Sequence, residues 1–253
     1  TYADKVIKTT GVELEDSYET LWGYDETTKD CLKRNTKEGI LEVHWTTGSG
    51  NWETWMYGRQ LDNWDYYFTW AKWITPSRDI INDFEKEGDE IRKNQAIVYY
   101  ACTWSNYYPA SNYPFMYKLR SSYSNIYWIR LADIILMKAE AEAYKGNLDE
   151  SAKLVNQIRK RAKLKELTSD KTNSKEAMIE AVLHERRLEL AFEGERWFDL
   201  CRNNKVEKYL NGIDNRDKGR NKQVKLFDSN SYLLPIPQTA LDQNTNLEQN
   251  PGY

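Results

Sequence analysis

Cysteine is scarce in this chain. Its three copies, Cys31, Cys102 and Cys201, are odd in number and far apart. They supply neither a disulfide framework nor the close pairs of a structural zinc site. A single Cys102–Cys201 bridge is the one pairing open to them, and no motif stands behind it. Histidine is scarcer, at two copies. His184-Glu185 opens like a zinc-protease HExxH helix, but Leu188 holds the fifth position and the motif fails. No apolar run approaches the ~18–20 residues that span a bilayer, and residues 1–21 are too polar and charged for a secretory signal. A basic excess is lacking too: the net charge is -3, so no polybasic field draws nucleic acid or anionic lipid. Gly-rich phosphate loops and Ser/His/Asp triads are not recognisable. Asp214 to Lys222 loosely matches a calcium loop, but Arg216 and Lys218 stand where oxygen ligands belong.

Aromatic residues are what the chain has in excess, with 10 Trp and 18 Tyr in 253 residues. Burying them all needs more core than this length provides, so some aromatic surface is expected to be exposed. Six Trp, three Tyr and one Phe fall between Trp45 and Trp73, at a spacing that fits neither the helical nor the strand period. Flat apolar ring faces suit the C–H faces of a sugar, while edge hydroxyls go to amides and charged groups. The expected ligand-binding set is Trp52, Trp55, Tyr57 and Trp64, with Asn51, Arg59, Asp62 and Asn63 as polar partners. Trp70 and Trp73 read as core. Glu53, Asp62 and Asp65 are carboxylates that a glycoside hydrolase would need, but nothing fixes their separation.

Elements follow from local pattern. Residues 2–10 read as a helix end broken at Gly11, and Asp25 to Asn35 as a polar loop or short helix. Gly39 to Thr46 alternates apolar positions (Ile40, Val43, Trp45) like a short strand. Pro76 suits the first turn of a helix through Phe84. Ala96 to Thr103 is strand-like, and Ser105 to Pro114 is a loop. From Asn125 the period turns helical. Trp128, Leu131/Ala132, Ile135, Ala139 and Ala143 form a seam, Gly146-Asn147 a cap and turn, and Asp149 to Lys163 a second helix. That pair has the size of one tetratricopeptide unit, which must stack on neighbours.

A third helix is expected from Asn173 or Ser174, with Glu176 closing a capping box, to Glu193 before Gly194. A short fourth covers Glu195 to Asn203. Glu185 falls on the apolar seam of the third helix and needs an arginine such as Arg130, Arg159 or Arg196. An ion-pair network between helices is the main reading, a general acid the other. Lys205 to Lys222 reads as a polar surface excursion, and each proline of Tyr232 to Pro237 holds the residue before it extended.

Three blocks resemble the SusD/RagB family of outer-membrane nutrient-binding lipoproteins. The first is Ile129 to Tyr144 (IRLADIILMKAEAEAY), followed by Asn156, Arg159, Arg161 and Ala162. The second is Glu185 to Leu200 (ERRLELAFEGERWFDL). The third is Leu234 to Pro237 (LPIP), with Asn246-Leu247 and Gln249 to Tyr253 (QNPGY). Their order makes the likeness specific, and Glu38 to Trp45 resembles the family more faintly.

The resemblance implies a mainly α fold with tetratricopeptide-type helix pairs, long loops and a few short strands. Residues 1–124 are then an aromatic-rich region of loops and short strands carrying the ligand surface. Residues 125–204 are the helical core, and 205–253 a polar excursion and extended tail, all in one domain. Family members are longer and begin with a lipoprotein signal, so the chain is expected to be a C-terminal portion. The implied function is non-catalytic binding of oligo- or polysaccharide and delivery to a SusC-like TonB-dependent transporter. The place would be the cell surface, with a lipid anchor in a region absent here. No cofactor, metal or nucleic acid is implied. Two other readings are a helical-repeat interaction subunit of the transporter complex (or a peptide binder) and a glycoside hydrolase. The motif blocks carry no ligand residues of their own.

Overall fold

The computed structural model describes residues 2–25, 27–28, 30–45, 75–102, 105–121 and 123–253, in two units, Thr1–Glu195 and Arg196–Tyr253. The first begins with α1 (Tyr2–Ile7), α2 (Tyr18–Trp22), the two-residue strands β1 (Tyr24–Asp25) and β2 (Asp30–Cys31), and β3 (Gly39–Val43). Then come α3 (Arg78–Glu87), α4 (Glu90–Ala96), β4 (Ile97–Tyr100), β5 (Tyr113–Met116) and β6 (Ile126–Arg130). It ends with α5 (Leu131–Lys145), α6 (Leu148–Arg161), α7 (Ser169–Thr172) and α8 (Lys175–Glu189). The fold is mainly helical with short strands, as the motif blocks imply. The segment expected to be loop or short helix after Asp25 is a small hairpin, with Tyr24 opposite Cys31.

The centre of this unit is the helix pair α5/α6 with α8 laid on it. Leu131, Ala132, Ile135, Leu136, Ala139 and Ala143 meet Leu154, Val155 and Ile158, and Met178, Ile179, Val182 and Leu183 close the cluster. Burying each Leu, Ile, Val or Met side chain among them contributes about 1.5–3 kcal/mol relative to leaving it in water. Gly146 ends α5 with φ +84°, a left-handed turn in which Gly146 N donates to Ala143 O and Asn147 N to Glu142 O. The chain therefore reverses where the Gly-Asn pair predicts it.

Several boundaries differ from expectation, among them the expected loop Ser105 to Pro114, whose last two residues begin β5. Trp128 does not belong to the helical seam. Ile126–Arg130 is a strand paired antiparallel with β3 (Leu41 opposite Ile129, Val43 opposite Ile126), which leaves Trp128 67% exposed. Aromatic and β-branched residues favour that extended pairing, and an apolar run alone does not separate it from a helix. Pro76 lies before α3 rather than in its first turn. Ser77 is the N-cap, its side chain accepting from Ile80 N, and the helix runs on to Glu87 before the left-handed Gly88. The third predicted helix stops at Glu189, not Glu193. Phe192 and Gly194 take positive φ, and the turn lets the Glu189 carbonyl accept from Lys118 Nζ (3.1 Å) and Arg130 Nη2 (2.8 Å). At its start Ser174, not Asn173, is the cap. Ala177 then occupies the third helical position, and Glu176 closes no capping box.

A second cluster joins Ile80, Ile81 and Phe84 of α3 to Ala96, Ile97, Leu188 and Ala191. It seats the β4–β5 hairpin, whose register runs from Ile97 opposite Met116 to Tyr100 opposite Tyr113. Residues 105–112 of the connecting loop lie beside the start of α3. All three cysteines are free.

The second unit holds α9 (Arg196–Arg202), α10 (Val206–Leu210), α11 (Ile213–Arg216), a 3-10 turn (Ser229–Tyr232) and α12 (Gln238–Gln243). The expected polar excursion thus contains two short helices. After the turn the chain is extended through two prolines, and the terminal motif fastens it. Gln249 Oε1 accepts from Ile236 N (2.8 Å) and Gln249 Nε2 donates to Ile236 O (2.9 Å). Asn250 Nδ2 donates to Leu234 O, and Tyr253 Oη to Leu233 O. Proline has no N–H, so Ile236 carries the one backbone donor of its Pro-Ile-Pro triplet, and the glutamine amide satisfies it as a neighbouring strand would. Among the described residues, no helix is long and apolar enough to cross a membrane.

Candidate functional site

Two polar constellations stand out, and they do different work. The first is a lattice of buried charge between α2, α4, α6, β6 and α8. Glu185, fully buried, accepts from Arg92 (2.6 Å) and Arg159 (2.9 Å). Arg159 was among its expected partners. Arg92 was not, and Arg130 pairs instead with Glu38, Glu189 and Glu193, each at 2.7 Å. Glu189 also takes Arg161 (2.6 Å), Arg92 (3.2 Å) and the Tyr18 hydroxyl (2.6 Å). Arg161 reaches Glu38, and Lys118 bonds Glu193. Burial, the largest single influence on Glu189, pushes its carboxyl up. Arg161, Arg130 and Arg92 together outweigh it and hold the group well below the usual range. Burial and then Glu189 push the Tyr18 phenol up. Both carboxylate oxygens of Glu185 are committed to arginines and closed to solvent. Glu185 therefore ties helices together, and no ligand can reach it for proton transfer.

The same contacts explain the charged letters of the motif blocks. Glu185, Glu189 and Glu193 of the second block meet Arg130 of the first and Arg159 and Arg161 of the following helix, while Arg186 holds Asp133 (2.7 Å). Asn156 accepts from Leu167 N and fixes the turn after α6.

The second constellation is open. A surface cavity of about 880 Å3 is lined by Arg78, Ser105, Asn106, Tyr107, Tyr108, Pro109 and Ala110. Tyr113, the first residue of β5, is buried beside two of these residues, its hydroxyl bonded to Ser105 Oγ (3.2 Å) and Thr75 Oγ1 (3.1 Å). Tyr108 stands edge-to-face against both Tyr107 (4.9 Å, 84°) and Tyr113 (5.5 Å, 77°), and its hydroxyl donates to Pro76 O (2.8 Å). Loop ends are tied by Cys102 N to Ala110 O (2.6 Å) and Asn112 N to Pro109 O (3.0 Å). The volume suits a small ligand. Its described walls offer ring faces, an amide, a hydroxyl and a guanidinium, with no carboxylate or imidazole.

Asn51, Trp52, Trp55, Tyr57, Arg59, Asp62, Asn63 and Trp64, like Trp70 and Trp73, lie outside the described residues. The described chain resumes at Thr75, whose hydroxyl is bonded to that of Tyr113. Sequence reasoning placed Ser105 to Pro114 in a loop but gave it no role. The Asn-Tyr-Tyr-Pro run was the available signal, and it is weak without Arg78 beside it.

A model of the SusD family matches residues 107–253, more than half of the chain, and the chain belongs to the SusD family. SusD-like protein P38 of Formosa agariphila is 35% identical over 136 residues, 51% of this chain and 25% of that protein. SusD-like protein P2 of the same organism is 34% identical over 142 residues, 53% of this chain and 27% of P2. The matched region thus spans about a quarter of either relative. Among solved structures, a SusD homolog from Bacteroides thetaiotaomicron gives a TM-score of 0.74 at 20% identity, covering 99% of this chain and 58% of that one. Surface glycan-binding protein A from the same organism, in complex with laminarihexaose, gives 0.68 at 19%, covering 98% and 58%. These likenesses show the fold.

Proposed function

We propose that this chain is part of a non-catalytic glycan-capture protein that holds oligo- or polysaccharide at the cell surface and hands it to a SusC-like TonB-dependent transporter. The observation that carries the reading is the groove of Tyr107, Tyr108, Asn106 and Arg78, built on a SusD-family frame. Ring faces can take the apolar face of a pyranose while the Asn106 amide and Arg78 bond its hydroxyls. That a neighbour of the same fold was solved with laminarihexaose is in keeping with it. The aromatic stretch around Trp52, Trp55, Tyr57 and Trp64, with Asn51, Arg59, Asp62 and Asn63, is the second part of the proposed surface, on the strength of its ring content and polar partners in the sequence. Surface display through a lipid anchor on a preceding region completes the proposal.

Capture for transfer calls for weak binding, with Kd on the order of micromolar or above. Native affinity electrophoresis through gels containing a panel of soluble polysaccharides tests it. The wild-type chain is expected to be retarded by at least one. Tyr107→Ala, Trp55→Ala and Trp64→Ala are each expected to weaken retardation about tenfold, near the ~1.4 kcal/mol a stacked ring contributes, at unchanged melting temperature. No retardation by any glycan, with a stable complex formed on the transporter barrel alone, would replace capture by an interaction role. Reducing ends released from a bound polysaccharide, and lost in Asp62→Asn, would point to hydrolysis.

A further inference from the structure

The groove contains an arginine where helix electrostatics disfavours one. Arg78 is the first residue of α3, the end at which the helix dipole is positive and a cation is repelled. Asp79, the acidic residue of that turn, is engaged by Arg187 at 2.8 Å, so its charge is shared with a second cation. A lysine-like role at the surface would gain nothing from this position. The contacts show what Arg78 does there instead.

Its guanidinium carbon lies 4.6 Å from the Tyr107 ring centroid and 4.0 Å from that of Tyr108. One Nη donates to the Tyr107 carbonyl oxygen. A single side chain on a regular helix thus grips two successive loop residues by their rings and one of them by its backbone as well. Planarity makes this possible. A guanidinium can lay its flat face on a ring while its edge donates a hydrogen bond, whereas an ammonium is a compact point charge with no flat face to set the attitude of two rings at once. The helix beneath is anchored by Ile80, Ile81 and Phe84 in the second cluster, so the grip transmits a rigid reference to the loop.

We infer that Arg78 is the positioning residue of the groove, holding Tyr107 and Tyr108 as a preformed platform on which the sugar ring is received. This rests on the glycan-capture reading. A platform ordered beforehand spares the ligand the entropy of ordering it, and the gain appears in affinity. The role differs from sugar contact by Arg78 itself, since what it fixes is the attitude of the rings.

The test uses the full chain with Arg78→Ala, Arg78→Lys and Tyr107→Ala, and a polysaccharide that retards the wild type. Three quantities are measured: Kd by titration calorimetry, hydrogen exchange of peptides covering 101–112, and melting temperature. Expected for both Arg78 variants is binding about tenfold weaker, faster exchange in the loop and an unchanged melting temperature, with lysine giving no rescue. Wild-type affinity in Arg78→Lys overturns the inference, because charge alone would then suffice. Weaker binding with unchanged loop exchange also overturns it, since Arg78 would be touching the sugar directly. If Tyr107→Ala weakens binding while both Arg78 variants bind normally, positioning is refuted and the groove stands. If Tyr107→Ala binds like wild type, the groove is not the glycan site and the inference goes with it.

Discussion

Glu189 is in contact with three arginines and a tyrosine, and its loss leaves all of them without their shared anion. Glu189→Gln keeps the volume and removes the charge, so Arg92, Arg130 and Arg161 face one another in a dry interior. Removing one partner of a buried ion pair costs about 3–5 kcal/mol. The expected outcome is an unfolding free energy, measured by urea titration, lowered by that amount, or failure to accumulate folded protein. A milder residue-scale effect belongs to Gln249. Gln249→Ala leaves the Ile236 N–H and C=O to water, frees Asn250 N as well, and so removes three hydrogen bonds worth about 1 kcal/mol each. Hydrogen exchange at Ile236 should rise at least tenfold while the Thr1–Glu195 unit keeps its protection.

Among the elements, the helix pair tests how much a turn residue decides. A Cβ at Gly146 meets nothing within 4 Å, so Gly146→Ala introduces no clash and imposes only its φ of +84°. The cost of a left-handed alanine is about 1–2 kcal/mol, read as a lower melting temperature with ligand affinity unaltered. This reversal was legible because glycine, asparagine and the flanking apolar period all speak locally. Trp128 was not. Its apolar neighbours fit a helical seam, and only pairing with residues almost ninety positions earlier turns them into a strand. Arg92 and the Tyr107–Tyr108 pair escaped for the same reason: what each does depends on a partner distant in sequence, Glu185 for one and Arg78 for the other. The motif blocks, by contrast, announced the family because their charged letters pair mostly with one another.

For the whole molecule, acidity is the revealing variable. Glu189, Glu193 and Glu87 are all held below the ordinary glutamate value of 4.5. In Glu87 the His184 hydrogen bond leads. In the other two, burial opposes and the arginines and Lys118 prevail. A carboxyl depressed in the fold adds stability above its unfolded pKa, and that stability is lost as pH falls through the folded value. Asp89, pushed up chiefly by burial, works the other way. The urea midpoint should stay level from pH 7 to about 5 and then decline steadily below about 4.5. A midpoint unchanged at pH 3 would contradict the assignment.

The sealed lattice carries one more implication, for ionic strength. Mobile ions weaken attraction between charges they can surround, over a Debye length of about 3 Å at molar salt, but they cannot enter an interior from which water is shut out. The protein should therefore tolerate molar sodium chloride with its fold intact. In such brine the contribution of exposed pairs such as Lys153 with Glu150 fades, while the frame beneath the tyrosines does not notice.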